Sequence, residues 1–159
     1  MSVQKPPFFH LFMATGFGSG FSPVAPGTAG ALLAVLLWIA GYFLLPFGIL
    51  QTVLAAAIVY FTVQGIYSSA VMEKYWGEDP SRVVIDEMVG VWIPLLVVPD
   101  GGWWYVVAAF ALCRFFDIVK PLGVRRMERF RGGVGIMMDD ILAGIYSAIL
   151  LGIILLSIE

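Results

Sequence analysis

Residues 28–71 contain no Asp, Glu, Lys, Arg or His. A helix needs about 20 apolar residues to span a bilayer, so this stretch is long enough for two spans. The segment LLPFG in its middle contains Pro46 and Gly48, which favour a tight turn. We therefore predict two membrane-spanning helices, near residues 28–45 and 48–70.

The remaining composition agrees with a membrane protein. The chain is 60% hydrophobic and 13% charged, whereas a soluble domain averages about 25% charged residues. Its 159 residues suffice for one domain, which we predict to cover 1–159. No basic patch alternates with aromatic residues, so we expect no nucleic-acid partner. The sole cysteine, Cys113, lies in an apolar run and is expected to be a packing residue.

Two shorter apolar runs flank the turn sequence PDGG. Both reach spanning length if the first helix begins near Ser81, after Pro80, and the second ends near Lys120. A last helix is predicted over Gly133–Ile158. The predicted fold class is all-α: a single helical bundle with about five membrane-embedded helices, the alternative being a soluble or half-embedded bundle. Three tryptophans suit an interfacial belt, namely Trp92, Trp103 and Trp104.

The charges are distributed asymmetrically between the two ends of this bundle. Every Lys and Arg lies in one of three segments, 1–27, 72–87 and 114–140, which five spans place on one side. The opposite side carries Asp100 and Glu159. The positive-inside rule places the basic side in the cytoplasm. We therefore expect the N-terminus inside, the C-terminus outside and the active site at the cytoplasmic face.

Acidic residues recur at the membrane boundary on that same side. Each has a simpler interpretation as a solvated helix end, which suits Glu78 and Asp79 well, or as charge at a helix start. Five carboxylates brought together in a low dielectric would repel strongly unless a cation neutralised them. Oxygen ligands without histidine or cysteine favour Mg²⁺ or Mn²⁺. The candidate metal-binding and catalytic residues are Asp86, Glu87, Asp117, Asp139 and Asp140.

Two features on that side could bind phosphate. The segment ATGFGSGFSPVAPGTAG, residues 14–30, offers bare backbone amides, and Thr28 is a plausible N-cap for the helix that follows. It equally suits a flexible start of a membrane helix. Two cations three residues on either side of Asp117 suit phosphate binding or a salt-bridged helix end. The candidate substrate-binding residues are Gly18, Pro26, Gly27, Thr28, Arg114 and Lys120.

Four stretches together resemble the bacterial phosphatidylglycerophosphatase A family: GFGSGFSPVAPGTAG, DPSRVVIDEMVG, RFFDIVKP and GVGIMMDDILAG. The resemblance implies an all-helical protein of the bacterial cytoplasmic membrane. It also implies Mg²⁺-dependent removal of the terminal phosphate from phosphatidylglycerophosphate, which gives phosphatidylglycerol. The family's acidic residues correspond to the five carboxylates above, and its basic residues to Arg114 and Lys120.

Several alternatives remain open from the residues alone. The nucleophile is either a metal-activated water molecule or an aspartate that forms an acyl phosphate. The substrate could be another lipid phosphate, such as phosphatidic acid. A small carboxylate-lined ion or metal transporter and a non-enzymatic membrane scaffold are the other candidates, although a transporter would place charges near the middle of the membrane. The sequence does not determine the oligomeric state, and the single histidine, His10, has no predicted role.

Overall fold

Helices form the regular secondary structure of this protein. The computed structural model describes residues 5–121, 123–127 and 130–158, and this part of the chain contains no strand. A short 3₁₀ helix, Ser19–Phe21, lies between the first two helices. The α-helices are α1 Phe8–Ala14, α2 Pro26–Leu44, α3 Phe47–Trp76, α4 Ile85–Leu95, α5 Trp103–Val119, α6 Val124–Met127 and α7 Gly133–Ile158. The predicted all-α class is confirmed for these residues.

Three helices are long and apolar enough to cross a membrane: α2, α3 and α7. By contrast, α4 has 11 residues, about 16 Å at a rise of about 1.5 Å per residue, which is too short for a span. The predicted early start of α4 is wrong, because Ser81 and Arg82 form a turn and the helix begins at Ile85. The predicted count of five spans is therefore not confirmed.

The short helix α4 lies at the centre of the bundle. Nine of its 11 residues are buried, and it contacts α2, α3, α5 and α7. Trp92 on α4 is buried and donates its indole N–H to the carbonyl oxygen of Ala34, 3.0 Å away. The prediction that Trp92 lies at the membrane interface is thus wrong, since its ring anchors α4 against α2.

Helices α4 and α7 cross at two glycines. A Cβ added at Gly144 would collide with the carbonyl oxygen of Gly90, and a Cβ at Gly90 would lie 2.9 Å from the carbonyl oxygen of Asp140. The missing side chains let the two backbones approach closely. This crossing sets the distance between the acidic first turn of α4 and the two aspartates of α7.

The glycine-rich segment packs tightly against the chain that leads into α4. A Cβ at Gly16 or Gly30 would crowd Val84, and a Cβ at Gly20 would collide with the carbonyl oxygen of Arg82. The backbone N–H of Val84 also donates to this segment, at Ala14. Close packing therefore accounts for Gly16, Gly20 and Gly30, three of the five glycines in this segment. The sequence interpretation had left the segment open as either phosphate-binding or flexible.

The start of α2 differs from the predicted one. Its first residue is Pro26, and Ala25 occupies the N-cap position with a left-handed backbone. Proline is well suited to the first helical position because the N–H that it lacks would have no intrahelical partner. Thr28 lies in the first turn rather than at the predicted N-cap.

We predict that Gly144→Ala destabilises the protein and Gly152→Ala does not. A Cβ at Gly144 meets backbone, whereas a Cβ at Gly152 has no atom within 4 Å. Overpacking costs about 1–3 kcal/mol, and each kcal/mol lowers the melting temperature of a domain of this size by about 2–4 °C. Thermal unfolding in detergent checks this, and equal melting temperatures for the two variants would contradict the proposed close crossing.

Candidate active site

A cavity of about 770 Å³ lies at the end of the bundle where the three charged segments meet. Every predicted site residue except Gly18 lines it. Gly18 caps the short 3₁₀ helix in a left-handed conformation and lies outside the lining. The lining residues are Ala25, Pro26, Gly27, Thr28, Glu73, Glu78, Asp79, Pro80, Ser81, Val83, Asp86, Glu87, Arg114, Asp117, Lys120, Phe130, Arg131, Gly132, Gly135, Ile136, Asp139 and Asp140.

Three aspartates from two helices are close enough to share one cation. Asp117 on α5 and Asp139 and Asp140 on α7 each offer a carboxylate oxygen, and these oxygens lie within 4.8 Å of one another. Asp139 and Asp140 are buried, and Asp140 Oδ1 has no hydrogen-bond partner among the described residues. A buried oxygen cluster of this kind fits a hard divalent cation such as Mg²⁺.

A second acidic pair occupies the first turn of α4. Asp86 Oδ1 and Glu87 Oε2 are buried without a hydrogen-bond partner in the described part of the chain. Burial raises the pKa of Asp86 well above its usual range, and the carboxylates of Glu87 and Asp140 raise it further. Burial also raises the pKa of Glu87, although its hydrogen bond to Asp86 and the charge of Arg114 oppose that rise. A cation would relieve this repulsion.

The two predicted phosphate-binding cations form ion pairs with the acidic cluster. Arg114 Nη1 lies 2.8 Å from Asp117 Oδ2. Lys120 Nζ lies 2.7 Å from Asp139 Oδ2, at the left-handed residue that ends α5. The sequence analysis gave two alternatives for both residues, phosphate binding or a salt-bridged helix end. The structure shows salt bridges. Two cations offset only part of the charge of five carboxylates, so a further cation would be electrostatically favourable here.

The N-terminus of α2 forms one wall of the cavity. Residues Ala25 to Thr28 line it, and this end of a helix carries free N–H groups and a partial positive charge. A Cβ added at Gly27 would collide with Glu87 Oε1 and lie 3.5 Å from Arg114 Nη2. Glycine at this position therefore allows the helix end, a carboxylate and a guanidinium to share one small space.

The sequence interpretation missed several other residues of the cavity lining. Glu73, Ser81 and Arg131 line the cavity. Glu78 and Asp79, interpreted as a solvated helix end, are exposed but also line it. The backbone N–H of Asp79 donates to Glu73 Oε1 at 3.3 Å, which ties this loop to the end of α3. All five residues lie in the charged segments. The predicted grouping of those segments on one side of the bundle could therefore have identified them.

Two residues singled out in the sequence lie outside the cavity lining. His10 Nδ1 is 3.1 Å from Ser68 Oγ, so His10 joins α1 to α3. Cys113 is buried and free, which confirms its prediction as a packing residue. Neither residue contributes an atom to the acidic cluster.

Comparison with known proteins gives the family. Residues 12–155 match the family described as Phosphatidylglycerophosphatase A. The chain belongs to this family. It is 40% identical over 142 residues to an Escherichia coli protein named Phosphatidylglycerophosphatase A, with 88% of this chain and 79% of that protein covered. A Haemophilus influenzae protein of the same name is 41% identical, with 88% and 84% covered.

A third relative carries a different name. A Bacteroides thetaiotaomicron protein named "Putative phosphatidylinositol-3-phosphatase" is 65% identical over 153 residues, with 95% of this chain and 96% of that protein covered. No solved structure matches the chain. The family and its relatives support a phosphatase, the class of enzyme that the sequence predicts.

We predict that the cation-free protein loses stability as the pH rises. The pKa of Asp86 is raised by folding, so the stabilising effect of its protonation is complete below the unfolded value of about 3.9 and disappears as the pH passes the folded value. Melting temperatures measured in EDTA from pH 4 to pH 8 should therefore fall, and Asp86→Asn should flatten the profile. Asp79→Asn, at an exposed carboxylate, should keep the wild-type slope, and a wild-type slope for Asp86→Asn would contradict the assignment.

Proposed function

We propose that this protein is a Mg²⁺-dependent lipid phosphatase that hydrolyses phosphatidylglycerophosphate to phosphatidylglycerol and phosphate. The proposed location is the cytoplasmic membrane of a bacterium, with the cavity facing the cytoplasm. The observation that carries the proposal is the joint position of the buried carboxylates, two cations and the N-terminus of α2 in one cavity. That cavity lies at one end of helices long enough to cross a membrane, where a phospholipid headgroup would be.

The proposed metal ligands are the three clustered aspartates, Asp117, Asp139 and Asp140, with Asp86 close enough to be coupled to Asp139 and Asp140 electrostatically. When bound, the cation would supply Lewis-acid polarisation of the phosphate and make water a better nucleophile at neutral pH. The ion pair between Lys120 and Asp139 would orient that carboxylate. The four carboxylates are held by helices rather than by loops, which favours precise positioning.

The phosphate would be held on the opposite side of the cluster. The free N–H groups at the start of α2 would donate to its oxygens, and the guanidinium of Arg114 would offset its charge. Glu87 lies beside Gly27 and close to Arg114, where it would act as a metal ligand or take the proton of an attacking water molecule. Hydrolysis then consumes one water molecule and releases the lipid alcohol and phosphate. Attack by an aspartate remains the alternative, and trapping a phosphorylated protein would identify it.

A second substrate is favoured by one specific observation. The relative that is 65% identical over 95% of this chain is named "Putative phosphatidylinositol-3-phosphatase", a name that points to phosphatidylinositol 3-phosphate as a substrate. That lipid and phosphatidylglycerophosphate both carry a phosphate monoester on a hydroxylated headgroup, so the same cation and helix end would serve both. Ion transport is less well supported, because residues 28–71 supply no charge to the middle of α2 or α3.

We predict that phosphate release requires Mg²⁺ and Asp140. Asp140→Asn removes charge from the buried cluster and should lower kcat at least about 100-fold, whereas Asp79→Asn at the cavity rim should stay within about threefold of wild type. The measurement is phosphate release by purified protein in detergent with phosphatidylglycerophosphate, with and without EDTA. Full activity in EDTA, or in folded Asp140→Asn, would contradict the metal-dependent mechanism.

The lipid preference needs a separate comparison. The wild-type protein should release phosphate from phosphatidylglycerophosphate with a kcat/KM at least about tenfold above that for phosphatidic acid, whose phosphate lies nearest the glycerol backbone. Phosphatidylinositol 3-phosphate measured beside them decides between the two candidate substrates. A higher kcat/KM for the inositol lipid would replace the first candidate, and release from none of the three would refute the phosphatase proposal.

A further inference from the structure

Both proposed substrates carry two phosphates. Phosphatidylglycerophosphate and phosphatidylinositol 3-phosphate each have a terminal phosphate monoester, which the proposed reaction removes, and a phosphodiester that joins the headgroup to the lipid. The diester is negatively charged and has to lie close by while the monoester reaches the buried carboxylates. Eight acidic side chains line the cavity, so the diester would be repelled unless a cation lay beside it.

The cavity extends along one face of α7. Lining residues recur at helical spacing from the residue before α7 to its two aspartates, namely Gly132, Gly135, Ile136, Asp139 and Asp140. From Gly132 to Asp140 the helix rises about 12 Å, at about 1.5 Å per residue. The buried aspartates lie at one end of this face, and the exposed residue Arg131 adjoins the other end, which we call the rim.

Arg131 differs from the other basic residues of the cavity lining. Arg114 and Lys120 each form an ion pair with an aspartate of the cluster. Arg131 is exposed and forms no ion pair within the described part of the chain. Its charge is therefore available to an anion that enters the cavity.

Close packing places the backbone of Arg131 at the rim. A Cβ added at Gly135 would collide with the carbonyl oxygen of Phe130, and the N–H of Gly135 donates to the carbonyl oxygen of Gly132, 2.9 Å away. Gly132 has a left-handed backbone, which turns the chain from Arg131 into α7. A Cβ at Gly132 would lie 3.7 Å from Glu73 Oε2, at the end of α3. The side chain of Arg131 thus starts from a packed turn beside two helix ends.

The two proposed substrates share the spacing between their phosphates. In phosphatidylglycerophosphate, the three carbons of one glycerol separate the diester from the monoester. In phosphatidylinositol 3-phosphate, three consecutive ring carbons separate them. The middle carbon carries a hydroxyl group in both lipids. A site with one anion-binding position at the aspartates and another at the rim would therefore accept either headgroup in the same orientation.

We propose that Arg131 binds the phosphodiester of the lipid substrate while the terminal monoester lies at the carboxylate cluster, so that the site selects lipids that carry both groups. This rests on the proposed function for the lipid and its reaction. Phosphatidic acid has a monoester and no diester, so it gains nothing from Arg131. Arg131 is a specificity-determining residue, because it contacts a part of the substrate that does not react.

Removing the charge of Arg131 tests this assignment through selectivity. Arg131→Gln should lower the ratio of kcat/KM for phosphatidylglycerophosphate to that for phosphatidic acid about tenfold, because a charge-assisted hydrogen bond is lost. The loss should appear in KM rather than in kcat. Arg131→Lys keeps a positive charge and should retain most of the ratio.

Arg126→Gln is the matched control. Arg126 is an exposed arginine on α6 that lies outside the cavity lining, so its loss should leave the ratio unchanged. An unchanged ratio in Arg131→Gln, or an equal fall in Arg126→Gln, would overturn the assignment. The second result would show that the charge of the whole segment acts on the lipid rather than Arg131.

A binding measurement decides the assignment even if the wild-type protein hydrolyses neither lipid. The probes are phosphonate analogues of phosphatidylglycerophosphate and phosphatidic acid, in which a methylene group replaces the ester oxygen of the monoester. Wild-type protein in detergent with Mg²⁺ should bind the first analogue more tightly, and Arg131→Gln should reduce this preference about tenfold. No preference in the wild type, or an unchanged preference in Arg131→Gln, would overturn the assignment. Binding that depends on Arg131 without hydrolysis would refute only the phosphatase proposal.

Discussion

Repulsion between buried carboxylates is the constraint on which the rest of this structure depends. Eight acidic side chains line one cavity, among them the five predicted carboxylates, and Arg114 and Lys120 each form an ion pair with one of those five. Such a cluster is costly in an apolar bundle unless a further positive charge is close. The N-terminus of α2 places partial positive charge in the same cavity. The clustered carboxylate oxygens also suit a divalent cation. The chemistry proposed for the site uses the same excess of negative charge.

Glycines allow the helices that carry these charged side chains to pack closely. Gly90 and Gly144 let α4 and α7 cross at backbone distance, and Gly27 makes room for a carboxylate beside the start of α2. A methyl group at any of these positions would push away a neighbouring backbone or charged side chain. Glycines in this chain therefore shape the site as well as the turns. Burial of α4 among four longer helices then holds its acidic first turn in place.

Much of the site was predictable because charge is rare in this chain. A carboxylate beside long apolar segments stands out, and the alternation of apolar spans with charged segments was enough to bring Asp86, Asp117 and Asp140 together. The fold was less predictable in its middle. Val83 and Val84 were predicted to lie in a helix, yet both precede α4 and are buried, with Val84 packed against Gly16 and Gly30 of the glycine-rich segment. Trp92 was misplaced because an interfacial and a buried tryptophan look alike without their neighbours.

The sequence by itself determined the helical class, the family, the end of the bundle that carries the charge and the identity of the carboxylates. These follow from local composition and from short motifs that can be recognised without the fold. Only the tertiary structure decided that α4 is a short central helix and that Arg114 and Lys120 pair with aspartates. Those outcomes depend on which helices meet and how closely, and contact between distant segments is set by packing of side chains that no local pattern records.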